Sequence, residues 1–344
     1  MSVLDLSEEF KIGEALKTVV QSLQLTTLLP TILLVASVVL LFFPSPDELD
    51  NTVVGLLVFA VIILSFLLHA LNMPLIRFWE GYILGDTWWA QRLRQGQQNS
   101  FDELHGTSQV CQDRVREIKI RLDELVLAAQ SDDETEQKLE DWKQEWSNRQ
   151  RRYRGRMEER FPPLGRPVLP TPLGNTIAAF EWYSFERYGM DPIQLWTRFV
   201  PFLSANKYAV FIRNEKMTLD FLINLLSVNV LIFLASTFKF GISGDGVAGL
   251  VTLVIVGVSP ILYKSAVVAA ANWGTTVKAA FDLYRHDLRT LLRLQLPVPS
   301  LKGEREMWKG VSVFFAHNDT RLFKGFDYDS PSSPQIDNQS ESVA

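Results

Sequence analysis

LTTLLPTILLVASVVLLFF at residues 25–43, PSPDELDNT at 44–52 and VVGLLVFAVIILSFLLHAL at 53–71 decide the fold. Neither apolar run contains an Asp, Glu, Lys or Arg. A helix rises 1.5 Å per residue, so about 20 apolar residues cross the hydrocarbon of a bilayer. A buried helix of a soluble protein rarely runs that far without a charge. The link between the runs is too short for anything but an antiparallel helical hairpin. The same arrangement recurs downstream, with Leu219–Phe238 and Val247–Tyr263 separated by residues 239–246. The sequence therefore predicts an all-α membrane protein. Its four transmembrane helices, at 25–43, 53–71, 219–238 and 247–263, form two hairpins. A helical cytosolic domain is inserted between the second and third.

Loop charges set the predicted orientation. Residues 44–52 carry Asp47, Glu48 and Asp50 and no base, and the second short loop carries one base, Lys239. The opposite flanks hold Lys11, Lys17, Arg77, Arg92, Arg94, Lys207, Arg213, Lys216, Lys264 and Lys278. Basic residues are retained on the cytosolic side. Both termini and the segment 73–217 are thus expected in the cytosol, with the bundle in a plasma or inner membrane. The amino terminus, MSVLDLSEEFKIG, starts acidic and lacks the basic region of a secretory signal. The first apolar run is therefore expected to persist as a membrane helix.

Composition agrees with alternating apolar and polar blocks. Of 344 residues, 47% are hydrophobic and 21% charged. A net charge of −5 does not suit a nucleic-acid binder, which needs bases to offset phosphates. The single cysteine, Cys111, excludes an internal disulfide framework and a thiol-rich metal site.

Within the inserted domain, Cys111, Val115, Ile118, Leu122, Leu125 and Ala129 recur at steps of four and three, a heptad seam. SDDETE breaks the pattern, with Ser131 or Asp132 as a cap, and Leu139, Trp142, Trp146, Tyr153 and Met157 form a second stripe. These predict a helical hairpin over 107–160 that folds on itself. FPPLGRPVLPTPLG, residues 161–174, holds five prolines and reads as an extended connector. Residues 175–203 read as short aromatic helices, the first capped by Asn175, with Gly189 as a stop and Asp191-Pro192 as a start. From Ser204 a helix is expected to run unbroken into the third span. The fourth span is expected to continue past Lys264 into a helical region over 272–327, where YRHDLR at 284–289 reads as a charged face. The polar tail 328–344 is expected to be disordered. Trp79, Tyr82, Trp88 and Trp89 suit either an interfacial anchor or the core of the inserted domain.

Polar groups at membrane depth are functional candidates by default. They are His69 and Asn72 in the second helix, Asp220, Asn224 and Asn229 in the third, and Lys264 in the fourth. An Asp220–Lys264 pair is the expected contact, against a purely structural clamp or a snorkelling lysine. Pro30 and Pro260 interrupt the first and fourth spans near their cytosolic ends, where a kink costs little. Arg149, Arg151, Arg152, Arg154 and Arg156 form a patch for anionic lipid or a partner, against a solvated face paired with Glu145, Glu158 and Glu159.

No P-loop, HExxH, GxSxG or CxxC pattern occurs, and the four histidines lack ligand spacing. No catalytic residue, cofactor or metal site is expected. The expected partners are the bilayer and a second copy or a cytosolic protein. The expected function is a non-enzymatic scaffold or signalling component whose helical domain binds that partner. The alternative is an oligomeric channel or pore gated by the domain. A membrane enzyme acting on a lipid-borne substrate has least support.

Overall fold

The computed structural model describes residues 25–43, 50–127, 133–205, 207–294 and 300–319. The predicted tail 328–344, the basic residues Lys11 and Lys17 and the proposed caps Ser131 and Asp132 lie outside them. Every regular element among the described residues is helical. In order these are α1 Leu25–Phe42, α2 Asn51–Ala70, α3 Asn72–Glu80, a 3-10 turn at Tyr82–Leu84, α4 Trp88–Leu127 and α5 Asp133–Arg160. They continue with α6 Pro172–Glu181, α7 Tyr183–Tyr188, α8 Pro192–Ala205, α9 Tyr208–Ser243, α10 Gly246–Leu291 and α11 Leu301–His317. The chain divides into two compact units, 1–180 with 211–276 and 181–210 with 277–344.

In the first unit, α1, α2, α9 and α10 are each long and apolar enough to cross a membrane. One cluster joins all four: Val228, Ile232 and Ile255, flanked by Leu34, Leu68, Phe233 and Val251. Burial along the four helices is uneven. In their most apolar stretches only 6% of α2 and 11% of α10 is buried, against 39% of α9. Surface that apolar is stable only against other apolar material. The charged loops also act locally. Asp50 Oδ1 accepts from Val53 N at 2.8 Å to cap α2, and Asp245 Oδ1 accepts from Val247 N at 2.9 Å at the start of α10. Gly244, at φ 63°, closes α9.

The helical hairpin belongs to the same unit and is longer than its seam implied, because α4 begins at Trp88. Ile118, Leu122 and Leu139 form one internal cluster with Leu125 and Trp146, and Phe101, Phe161 and Val168 form another with Leu104 and Met157. Cys111 is buried. Trp142, expected on the inner stripe, is 55% exposed. Of the aromatics after α2, Trp79 is packed: its Nε1 donates to Ser227 Oγ at 2.9 Å, and its ring lies 6.3 Å from that of Tyr263. Tyr82, Trp88 and Trp89 are exposed.

The connector ends earlier than expected. Thr171 Oγ1, not Asn175, caps the next helix by accepting from Gly174 N at 3.0 Å, with Pro172 at the first helical position. Asn175 is fully buried inside α6 and holds the connector instead. Its Oδ1 accepts from Leu169 N at 2.6 Å and its Nδ2 donates to Leu169 O at 2.9 Å. Thr171 Oγ1 also donates to the Trp79 and Glu80 carbonyls, at 3.0 and 2.8 Å. Any Cβ on Gly174 would collide with the Glu80 carbonyl, so glycine permits this approach.

The second unit holds α7, α8, α11 and the adjoining ends of α9 and α10. Gly189, at φ 76°, ends α7 as expected from sequence, and a Cβ there would lie 2.5 Å from the Arg305 carbonyl. Asp191 caps α8, accepting from Ile193 N and Gln194 N at 2.9 and 3.2 Å. Phe199 stacks on Phe281 at 5.2 Å, and Trp308, Met307 and Leu288 are fully buried. The expected unbroken helix from Ser204 is interrupted: α8 ends at Ala205 and Lys207 adopts φ 61°, a left-handed conformation that cannot continue a helix. The YRHDLR face is not wholly solvated either, since Arg285 Nε donates to Glu304 Oε1 at 2.9 Å and Glu304 is buried.

Candidate functional site

Pro30 organises the site. A proline has no N–H, so the carbonyl one turn earlier, at Thr26, loses its helical donor. Asn224 of α9 takes that place, its Nδ2 donating to Thr26 O at 3.1 Å. Deeper in the bundle the hydroxyls of Thr31 and Ser65 meet at 2.6 Å, tying α1 to α2, and those of Ser236 and Thr252 meet at 2.8 Å, tying α9 to α10. Such bonds between apolar helices satisfy polar groups that would otherwise be stranded.

Around the Thr26–Asn224 contact lies a cleft of about 340 Å³. The start of α1 supplies Thr26 and Thr27, the α2–α3 junction supplies His69 and Asn72, and α9 supplies Arg213, Lys216, Asp220 and Asn224. Four of the six predicted intramembrane polar residues, His69, Asn72, Asp220 and Asn224, thus converge on one space. Lys264 does not line it. Asp220 is paired with Lys216 rather than Lys264, its carboxylate oxygens accepting from Nζ at 2.8 and 2.7 Å. The reason is spacing: Lys216 lies one turn earlier on the same helix, where a pair forms without bridging helices. Lys216 Nζ also sits 5.9 Å from the Trp273 ring centre.

The polar groups of the cleft are not all satisfied. Asn224 is fully buried, yet its Oδ1 has no hydrogen-bond partner among the described residues, and neither has the buried Oδ1 of Asn72. Arg213 is exposed and unpaired among the described residues. Beside the cleft, sharing Thr26 and Met217 with it, runs a more open groove of about 410 Å³ between α1 and α9. Leu25, Leu29 and Phe221 give that groove an apolar wall.

The arginine patch is different. Arg149 pairs with Glu145 at 2.6 Å and lies over the Trp146 ring, Arg154 pairs with Glu158 at 2.7 Å, and Arg151 donates to Asn148 Oδ1 at 2.7 Å. Three of its five cations are therefore engaged on their own helix, as in an exposed salt-bridged face.

One cluster escaped the sequence reading. In the second unit, Asp282 accepts from Tyr183 Oη at 2.9 Å to both oxygens and from Tyr188 Oη at 2.6 Å. Burial, then the hydrogen bond and charge of Asp282, push the Tyr183 phenol well above its ordinary range and raise Tyr188 in the same direction. A phenol held neutral so firmly makes a poor proton shuttle near neutral pH. The cluster is a clamp. Nothing in the sequence flags it, because Tyr183 and Asp282 are 99 residues apart.

Comparison with family models, curated proteins and solved structures returned no match. What the site does is therefore argued from its own residues.

Proposed function

We propose that the chain is a non-enzymatic integral membrane protein. In this reading α1, α2, α9 and α10 lie in the bilayer, and the α4–α5 hairpin stands on the cytosolic side as the arm that binds a second copy of the chain or a soluble partner. One observation carries the proposal. The hairpin's internal seam is already filled, yet large apolar side chains still face outward, Val126 and Leu127 at 65% and 86% exposure among them. Apolar surface left over on a polar arm favours a protein contact. The uneven lysine and arginine distribution supports the cytosolic side.

The test has two parts. Cys111 is buried and a poor topology probe, so single cysteines at Ile242 and Arg116 in a Cys111→Ala chain are compared with an impermeant reagent on intact cells. Labelling at Ile242 alone is expected; labelling at Arg116 would overturn the orientation. Native mass spectrometry of the detergent-purified full chain is expected to show an oligomer or a retained partner, lost in Ile120→Glu/Trp142→Glu. Both residues are exposed, so the fold should survive. A strictly monomeric particle without partner would overturn the docking role.

A second reading, an oligomeric pore gated by the hairpin, draws on the polar residues buried along α9, namely Asp220, Asn224, Asn229 and Ser236. Four helices in one chain leave no lumen between them, so this reading requires several copies. Ion flux through liposomes containing the purified chain tests it, and no flux would end it.

A further inference from the structure

The cleft sorts its polar atoms by depth. On the floor, the buried Oδ1 atoms of Asn224 and Asn72 are acceptors with no donor among the described residues. Toward the rim stand two cations, Lys216 and Arg213. Asp220 neutralises Lys216, and Arg213 has no counter-charge among the described residues, so the rim keeps an excess of positive charge. An acceptor buried without a donor is among the costlier states of a polar group. It calls for a ligand atom that donates, while the rim calls for an anion.

The adjoining groove adds a third requirement. It borders the cleft, sharing Thr26 and Met217 with it, and Leu25, Leu29 and Phe221 make it apolar. A molecule filling both spaces has a hydrogen-bond donor at one end, an anion next to it and a hydrocarbon chain beyond. A hydrated ion or a free phosphate meets only part of this.

We propose that the cleft and groove together bind one phospholipid whose headgroup bears an N–H or O–H donor beyond the phosphate, as an ethanolamine or glycerol headgroup does. The phosphate sits between Arg213 and Lys216, the terminal ammonium or hydroxyl donates to Asn224 and Asn72, and an acyl chain follows the groove along α1 and α9. A choline headgroup has no such donor, and its three methyl groups would meet the same two oxygens. The site therefore selects by the headgroup's donor and not by charge alone. The inference rests on the four apolar helices lying in a bilayer but not on the role of the hairpin.

Native mass spectrometry of the full chain, delipidated in detergent and titrated with single phospholipids, tests it. One phosphatidylethanolamine or phosphatidylglycerol per chain is expected at about tenfold lower concentration than phosphatidylcholine, the factor that one good hydrogen bond supplies. Arg213→Gln is expected to weaken all three lipids about tenfold, and because Arg213 is exposed this variant should fold. Asn72→Leu is expected to erase the preference over phosphatidylcholine while leaving binding measurable. Glycerophosphoethanolamine, the same headgroup without chains, is expected not to bind. Binding of that soluble headgroup as tightly as the lipid would overturn the lipid assignment in favour of a small-molecule site. Equal retention of all three phospholipids, or no response to Arg213→Gln, would overturn the site itself. Carbonate extraction of the membranes before solubilisation separates the two levels. Protein that resists carbonate but ignores headgroup refutes only this site, whereas protein that washes off refutes the membrane reading beneath it.

Discussion

Asp282 and Asn224 each gather polar groups beside apolar helix packing, and they do so in opposite ways. Asp282 accepts from two tyrosine hydroxyls, with Arg285 over the Tyr188 ring at 4.3 Å and in turn bonded to Glu304. Asn224 gives its Nδ2 to the Thr26 carbonyl and keeps an Oδ1 without a donor among the described residues, as does Asn72 nearby. Polar groups buried with partners hold a fold together; polar groups buried without them mark a place where something else belongs. That difference, together with the cations and the groove beside Asn224, is the ground on which we propose that the cleft, and not the Asp282 clamp, takes a ligand.

The largest expected effect is on the closed side of that contrast. Asp282→Ala leaves the Tyr183 and Tyr188 hydroxyls without their acceptor. At about 1–3 kcal/mol for each stranded donor, discounted because Tyr183 is only half-buried, the loss should come to about 3 kcal/mol. Thermal unfolding followed by tryptophan fluorescence should show a drop of several degrees in Tm. Asp282→Asn, which keeps one acceptor, should lose less. An unchanged Tm in Asp282→Ala would remove the distinction between clamp and cleft.

A smaller effect is expected from alkali. Burial first, then Asp282, raise both phenols above their ordinary value near 10. The folded chain therefore holds these protons more tightly than the unfolded chain. Their contribution is complete below pH about 10 and falls as pH climbs beyond it, toward the raised folded-state values. Urea unfolding between about pH 9 and pH 11 should show this decline, and Tyr183→Phe/Tyr188→Phe should flatten it. Phenolate absorbance should place these two tyrosines after the exposed ones. Their ionisation in step with the rest would contradict the geometry.

Much of this architecture was legible in the residues. The four apolar runs announce their helices because length and lack of charge leave few alternatives, and Gly189 and Asp191 mark helix ends through local chemistry alone. His69, Asn72, Asp220 and Asn224 were legible as candidates because polar groups are rare in such runs. The two hairpins also predict that His69, Asp220 and Lys264 share one level; the first two line the cleft and Lys264 does not. The pairing of Asp220 was misread because a contact between helices was preferred to one along a helix, although Lys216 stood at the required spacing. Thr26 was hidden for another reason: its carbonyl becomes available only through Pro30, a backbone consequence that no side-chain pattern displays. Lys207 defeated the expectation of a continuous helix because its left-handed conformation has no signature in residue type. The Tyr183–Tyr188–Asp282 clamp depends on segments brought together only by the tertiary fold.

The smallest expected effects test the open side of the contrast, in detergent without added phospholipid. Asn224→Leu removes the Nδ2 donor to the Thr26 carbonyl. Hydrogen bonds between membrane helices average about 0.6 kcal/mol and reach about 1.7, so a loss of about 1 kcal/mol is expected. Asn72→Leu removes an oxygen that has no partner among the described residues, and stability should stay within about 0.5 kcal/mol of the parent. The order matters more than either value. If Asn72→Leu cost as much as Asn224→Leu in the lipid-free state, the Asn72 amide would be holding the bundle together, and the cleft would belong with the Asp282 clamp as structure.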